Sequence, residues 1–277
     1  MRGLREQILV TALVLLSLAA CAEPTNQGAG VQPVGDDVTA GRLGGAELEA
    51  AVDAPVRPAA DRERDGNRKP AEVLRFCGIQ AGMSVAEMMS GSGYYTEILS
   101  VALGEQGKLY AHNSPFVLQR YAEKPITERL ARLEATNITR IDAEPEQPDL
   151  PSGLDAALLI RFYHDFYWQE VDRAAFNRAV LDALAPGGIF CVLDHHAEEG
   201  SGDRDVKLLH RVDAEMVKSE ILSAGFEWDA GSELLSNPSD DRTWSIFDDD
   251  AARRDQTDRF LFRFRKPTAR PAAAGFR

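Results

Sequence analysis

Several things are scarce in this sequence, and each scarcity narrows the reading. The 277 residues hold only three cysteines and five histidines. Basic residues are outnumbered, with 31 Lys and Arg against 44 Asp and Glu, for a net charge of −13. That balance lacks the basic footprint of a nucleic-acid binder, so no nucleic acid is expected as a partner. There is no internal repeat. The apolar run from Ile8 to Ala20 is short for a membrane span. What remains is ordinary for a globular protein, with 44% apolar and 27% charged residues. The length suits one α/β domain with a full core once a leader and a linker are set aside.

The leader is legible. Arg2 and Arg5 precede the apolar run, which ends Leu18-Ala19-Ala20-Cys21. Small residues before a cysteine resemble the bacterial lipobox, in which that cysteine is lipidated and becomes the mature N-terminus. Residues 1–21 are therefore expected to be a lipoprotein-type signal peptide, with a lipid anchor at Cys21 as the contact with the membrane. The residue after it is Ala22 rather than Asp, which points to the outer membrane and its periplasmic face. Residues 22–55 are rich in Gly, Pro, Ala and acids and predict a flexible tether. Cys77 falls on an apolar helix face and Cys191 inside an apolar strand, and both read as small core residues rather than as a disulfide or metal pair.

The domain is expected over 56–266, with a loose tail over 267–277. Asp61-Arg62-Glu63-Arg64-Asp65 reads as a solvated helix face, and Pro70 opens a helix that closes near Gly78. Strands and helices then alternate. Strands are predicted at Met83–Glu87, Lys108–Ala111, Ile138–Ile141, Leu154–Ile160 and Ile189–Leu193. Helices are predicted at Tyr94–Leu103, at Val117–Arg132 with an interruption at Pro125, at Trp168–Leu184 and at Asp213–Ala224. Two late strands, Phe226–Leu235 and Arg259–Arg265, have no helix between them and predict an antiparallel hairpin. The alternation gives a Rossmann-like, doubly wound, seven-stranded α/β sheet, mostly parallel, closed by that hairpin.

This order, together with three local features, resembles the class I S-adenosylmethionine-dependent methyltransferases. The features are Val85-Ala86-Glu87-Met88-Met89-Ser90-Gly91-Ser92-Gly93-Tyr94-Tyr95, Leu184-Ala185-Pro186-Gly187-Gly188-Ile189-Phe190, and the helix end Ala224-Gly225-Phe226. The run Asp61 to Leu74, then Gly91 to Leu99, then Arg161 to Phe166 is similar to a subgroup of exported bacterial methyltransferases. The resemblance implies S-adenosyl-L-methionine as cofactor and a small molecule as methyl acceptor. It places Glu87, Ser90, Gly91, Gly93 and Tyr94 at the carboxypropyl end of the cofactor. Glycines there let the backbone approach a ligand, and a helix N-terminus offers free N–H groups. Met89 stands where the family has its first glycine. The family ends its second strand with a carboxylate on the ribose. Here His112 or Asn113 aligns with it, and neither is an acid. Asp142, after the third strand, is placed near the adenine.

Four of the five histidines lie at or just past the ends of strands two, four and five: His112, His164, His195 and His196. That is the edge where an open α/β sheet binds ligands. His164, oriented by Asp165, is a candidate general base, and His195 is a second. The alternative is that His164 and Asp165 cap a helix. A divalent ion held by His195, His196, His210, Asp203 and Asp205 is a lesser reading, because adjacent residues leave a strand in opposite directions, so no metal ligands are assigned. Asn237 to Arg242 reads as a solvated turn. Two readings remain beside methyl transfer: a non-catalytic, ligand-binding envelope lipoprotein on a degenerate scaffold, and a metal-dependent envelope enzyme.

Overall fold

The computed structural model describes residues 45–268. The leader, most of the tether and the end of the tail lie outside these residues. Among the described residues no helix is long and apolar enough to cross a membrane.

The first helix, α1 (Gly45–Val52), buries Leu48 and Ala51 against α4 (Pro70–Phe76) and α5 (Tyr94–Leu103). It lies inside the stretch read as tether, so the packed chain begins earlier than residue 56. Two short turns, α2 (Ala59–Arg62) and α3 (Asp65–Arg68), lead to α4. Then follow β1 (Ser84–Met88), α5, β2 (Lys108–Asn113), α6 (Pro115–Val117), a π-helical turn (Leu118–Ala122), α7 (Glu123–Leu133) and β3 (Ile138–Asp142). The break falls in the π turn rather than at Pro125. That proline sits in the first turn of α7, where its missing N–H is harmless.

The second half contains β4 (Leu154–Ile160), α8 (Tyr163–Trp168), α9 (Arg173–Ala183), β5 (Leu184–His195), α10 (Ala214–Ser223), β6 (Glu227–Ser232) and β7 (Arg259–Arg265). The single helix expected over 168–184 is thus two. Asp172 caps the second by accepting from the Ala175 N–H at 3.0 Å.

The strand order is β3-β2-β1-β4-β5-β7-β6, parallel except for β7, which runs antiparallel to both neighbours. The chain winds outward from β1 in one direction and from β4 in the other, so the order reverses between them. Both faces are covered. In β4, Ala157 and Leu159 point to a core built with α8, α9 and α10, while Ala156 and Leu158 point to one built with α1, α4 and α5. A strand buried on both sides must be apolar at every inner position, and each buried leucine contributes about 1.5–3 kcal/mol.

Cys77 and Cys191 form a disulfide 114 residues apart, and both are fully buried. The expectation of two unpaired core cysteines is corrected. Each does occupy a core position, but the end of α4 packs on β5 and brings the two sulfurs together. Local sequence carries no sign of that long-range contact.

Candidate functional site

The glycine turn lies where β1 ends and α5 begins, beside the reversal in strand order. Met89 adopts a left-handed conformation (φ 53°) with its side chain buried at 4% exposure. Left-handed backbone disfavours any side chain by roughly 1–2 kcal/mol, so the position demands what glycine gives freely. Core contacts of the methionine side chain hold it there. Gly91 has φ 59°, and a Cβ there would meet nothing within 4 Å, so the backbone faces open space. Gly93 has φ 84° and is packed tightly. A Cβ there would come within 2.8 Å of Ile126 and Arg129 on α7. Gly91 therefore faces a ligand's side of the turn, and Gly93 faces the protein's.

Glu87 sits beneath the turn, 4% exposed, and accepts from the Thr96 hydroxyl at 2.5 Å. Burial pushes its carboxyl up to about 8, against the Thr96 hydrogen bond and the more distant Arg129 charge. Arg129 is engaged elsewhere: its Nε donates to the Ser92 carbonyl at 2.7 Å, and its guanidinium pairs with Asp61 at 2.8 Å and with Glu97.

Asn113 does not reach outward as a ribose ligand would. Its Oδ1 accepts from the Gly91 N–H at 2.8 Å, and its Nδ2 donates to Ser90 Oγ at 2.9 Å and to the Gly91 carbonyl at 3.2 Å. It splints the glycine turn. His112 lies at the end of β2 with 0% exposure, and neither ring nitrogen has a partner. Burial lowers its pKa to about 4, opposed by the Ala143 backbone and by the Asp142 and Asp149 charges, so the ring is neutral. Asp142 stands opposite Asn113 in the sheet, exposed, and is paired with Arg140 at 2.8 Å. Tyr94 is buried with its hydroxyl on Asp65 and the Arg68 guanidinium 4.4 Å above its ring.

The histidines beyond β4 and β5 form one network. Asp194, fully buried at the end of β5, accepts from the His164 N–H at 2.8 Å, from His164 Nδ1 at 2.7 Å and from the His195 N–H at 2.8 Å. His164 Nε2 meets Asp165 Oδ1 at 3.1 Å, and His210 Nδ1 meets the same oxygen at 3.1 Å. Burial pulls the His164 pKa down, but the charges and hydrogen bonds of Asp194 and Asp165 overcome it and raise it to about 10. His164 is therefore an imidazolium at neutral pH. Asp165 does contact His164 as expected, but both ring nitrogens are held by carboxylates, so the ring has no free lone pair with which to act as a general base.

His195 is held in the opposite state. Burial and the neighbouring Arg161 charge push its pKa well below the ordinary value. Its Nε2 accepts from Arg161 Nε at 3.0 Å, and its Nδ1 donates to Thr257 Oγ1 at 2.7 Å. Its one lone pair is occupied, so it is not a ready base either. His196 turns away to the Ala197 carbonyl. The metal set considered at the β5 end is not brought together. Among the described residues the structure instead gathers His164, Asp165 and His210, with donor atoms within 4.8 Å of one another.

A cationic cluster adjoins this network, and sequence reading missed it. Asp255 accepts from Arg64 at 2.7 Å, Arg161 at 3.0 Å and Arg68 at 3.3 Å. Arg259 donates to the Asp255 and Asn67 carbonyls. Three guanidinium groups thus share one carboxylate, and a fourth lies on the backbone beside it. Burial lowers the Arg161 pKa to about 10, helped by Arg68 and opposed by Asp255. Arg62 and Glu63 of the charged run are solvated as expected, while Arg64 and Asp65 are folded onto this edge. Asp65 holds Arg57 in a two-pronged pair at 2.7 and 2.8 Å. Asp240, expected in a solvated turn, is buried on Arg211 at 2.7 Å. Met89, Arg161, His210 and Asp255 are all left-handed non-glycine residues, and all lie along this edge.

No protein-family model matches the chain, and no curated protein does either. Solved structures match its fold. A SAM-dependent methyltransferase from Aquifex aeolicus is 17% identical, covers 81% of this chain and 99% of its own, and has a TM-score of 0.54. An arsenic(III) S-adenosylmethionine methyltransferase from Chlamydomonas reinhardtii is 18% identical over 80% of this chain and 73% of its own, with a TM-score of 0.51. The cyclase SpnF is 15% identical over 80% of this chain and 95% of its own, with a TM-score of 0.54. The chain has the fold of the class I S-adenosylmethionine-dependent methyltransferases. The cyclase shows that this fold is also found in proteins named for other chemistry.

Proposed function

We propose that the chain is an S-adenosylmethionine-dependent methyltransferase acting on a small molecule, held in the cell envelope by a lipid on Cys21. The observation that carries the reading is the open side of Gly91, in the turn that follows Glu87 and beside the strand-order reversal. Gly91, Ser90 and the start of α5 would hold the carboxypropyl end of the cofactor, with Glu87 toward its amino group. The fit is poorer at the ribose, where only neutral Asn113 and His112 are at hand and Asn113 is already committed to the turn. The bound cofactor supplies an activated methyl group on a sulfonium. The protein's own share is positioning. The surplus of guanidinium groups around Asp255 favours an acceptor that carries an acid group. The buried disulfide supports an oxidising compartment, in keeping with export.

Calorimetric titration of the chain from Ala22 onward, with S-adenosylmethionine and S-adenosylhomocysteine, tests this. Micromolar binding that Gly91→Val abolishes is the expected result. No binding at millimolar ligand would overturn it. It would leave the second reading, a non-catalytic binding protein, which the strained Met89 and the inward-turned Asn113 favour.

A further inference from the structure

We infer that His164, Asp165 and His210 form a binding site for one divalent first-row transition ion, of the Zn2+ or Fe2+ kind. The geometry is the argument. Three ligands about 2.1 Å from one ion stand about 3.0–3.4 Å from one another in octahedral or tetrahedral coordination. His164 Nε2 and His210 Nδ1 each lie 3.1 Å from Asp165 Oδ1. The three donor atoms fall within 4.8 Å of one another, so a small rotation of one ring, with release to solvent of the Nε2 proton that the ion displaces from His164, closes the set.

The surroundings are those of a supported metal site. The other nitrogen of His164 is fixed by Asp194 at 2.7 Å, and Asp194 is itself held by two backbone N–H groups. A carboxylate behind a ligating imidazole sets its orientation and raises its basicity. Asp165 is steadied by the Trp168 indole N–H at 2.7 Å. The His210 ring is edged by Phe247 at 4.8 Å, and its backbone is left-handed (φ 53°).

Burial decides the type of site. The His164 side chain is 2% exposed, while Asp165 and His210 are 17% and 20% exposed. The deep ligand is rigid, and the outer two leave an entry and free coordination positions. Two imidazoles and one carboxylate suit a borderline transition ion and are poor in the oxygens that Mg2+ or Ca2+ would need. Three protein ligands with open positions describe a reactive site rather than a structural one.

The ion would sit past β4, on the edge that carries the glycine turn. Its use there rests on the methyltransferase reading. An acceptor oxygen bound to the ion would lose its proton near neutral pH, which neither His164 nor His195 is free to accomplish. Binding of the ion itself does not depend on that reading and fails or stands separately from it.

The test is calorimetric titration of the chelator-stripped, untagged full chain with Zn2+, and with Co2+ followed by its visible spectrum. The expected result is one ion per chain, with nitrogen-ligand bands for Co2+. His210→Ala and Asp165→Asn are each expected to weaken binding at least about 100-fold, with the melting temperature of the metal-free protein nearly unchanged for His210→Ala. Absence of uptake at one equivalent would overturn the inference. So would uptake that both variants leave intact, because the ion would then be bound elsewhere.

Discussion

Replacing Glu87 by glutamine removes a carboxyl that the fold keeps protonated. Burial raises its pKa from the ordinary 4.5 to about 8. The nearest guanidinium, on Arg129, is committed to Glu97, Asp61 and the Ser92 carbonyl. Thr96 holds the carboxyl through its hydroxyl and its backbone N–H. Between about pH 4.5 and 8 the folded chain holds this proton and the unfolded chain has released it. The unfolded state then binds fewer protons, so stability falls as pH rises through that window. The contribution is complete below about 4.5 and gone above about 8. A rise of this size corresponds to about 5 kcal/mol. Glutamine fills the same volume, keeps a partner for Thr96 and does not titrate. Urea unfolding of both proteins at a series of pH values isolates the effect, because every other group cancels in the difference. Near pH 4 the two should be almost equally stable, and near pH 9 the glutamine protein should be more stable by up to about 5 kcal/mol. A difference that stays flat with pH, or a wild type that gains on the variant as pH rises, would refute the assignment. If the cofactor's ammonium binds here, it favours the carboxylate, so binding below about pH 8 should release a proton. Calorimetry in buffers of different ionisation enthalpy reads that release.

Three further outcomes follow from contacts already described. Asn113→Asp should lower stability by about 1–3 kcal/mol, because the Nδ2 donors to Ser90 Oγ and the Gly91 carbonyl are replaced by lone pairs facing that carbonyl; thermal unfolding checks it, and an unchanged midpoint would mean the turn does not rely on this side chain. Arg211→Met should destabilise by about 3–5 kcal/mol, since Asp240 then loses its buried partner; chemical denaturation is the measurement. Removing the disulfide by a paired Cys77→Ala, Cys191→Ala change should lose about 2–5 kcal/mol, given the 114-residue separation it spans, and reduction of the wild type should lower its melting temperature similarly.

The strands and the closing hairpin were readable because each carries its own signal. β4 is apolar at nearly every position, the glycine turn marks the end of β1, and the lack of a helix between the last two strands betrays the hairpin. The helix boundary at Trp168 was missed because α8 is six aromatic-rich residues without a side-chain cap. Asp172, which caps α9, was the available signal. The site was legible in place but not in state. The histidines do lie along the ligand edge, yet what each can do depends on partners far away in sequence. Asp194 meets His164 across 30 residues, Thr257 meets His195 across 62, and Asp255 meets Arg64 across 191. No periodicity or spacing reports such pairings. They exist only once β5 lies between β4 and β7 and the segment before β7 meets the first helices.

Those pairings constrain the chemistry more than the fold does. A side chain that takes a proton from an acceptor needs a free lone pair near the methyl donor. His164 has none, since both nitrogens face carboxylates. His195 has its lone pair filled by Arg161. His112 has an open nitrogen, but it is buried at the end of β2, on the other side of β1 from β4. The polar groups past β4 and β5 are therefore arranged to hold one another, or an ion, in fixed positions. An acceptor that enters already deprotonated, such as a carboxylate drawn by the arginines, needs no base. An acceptor hydroxyl would require another source of basicity, and an ion held by His164, Asp165 and His210, once it had displaced the His164 Nε2 proton to solvent, would supply one.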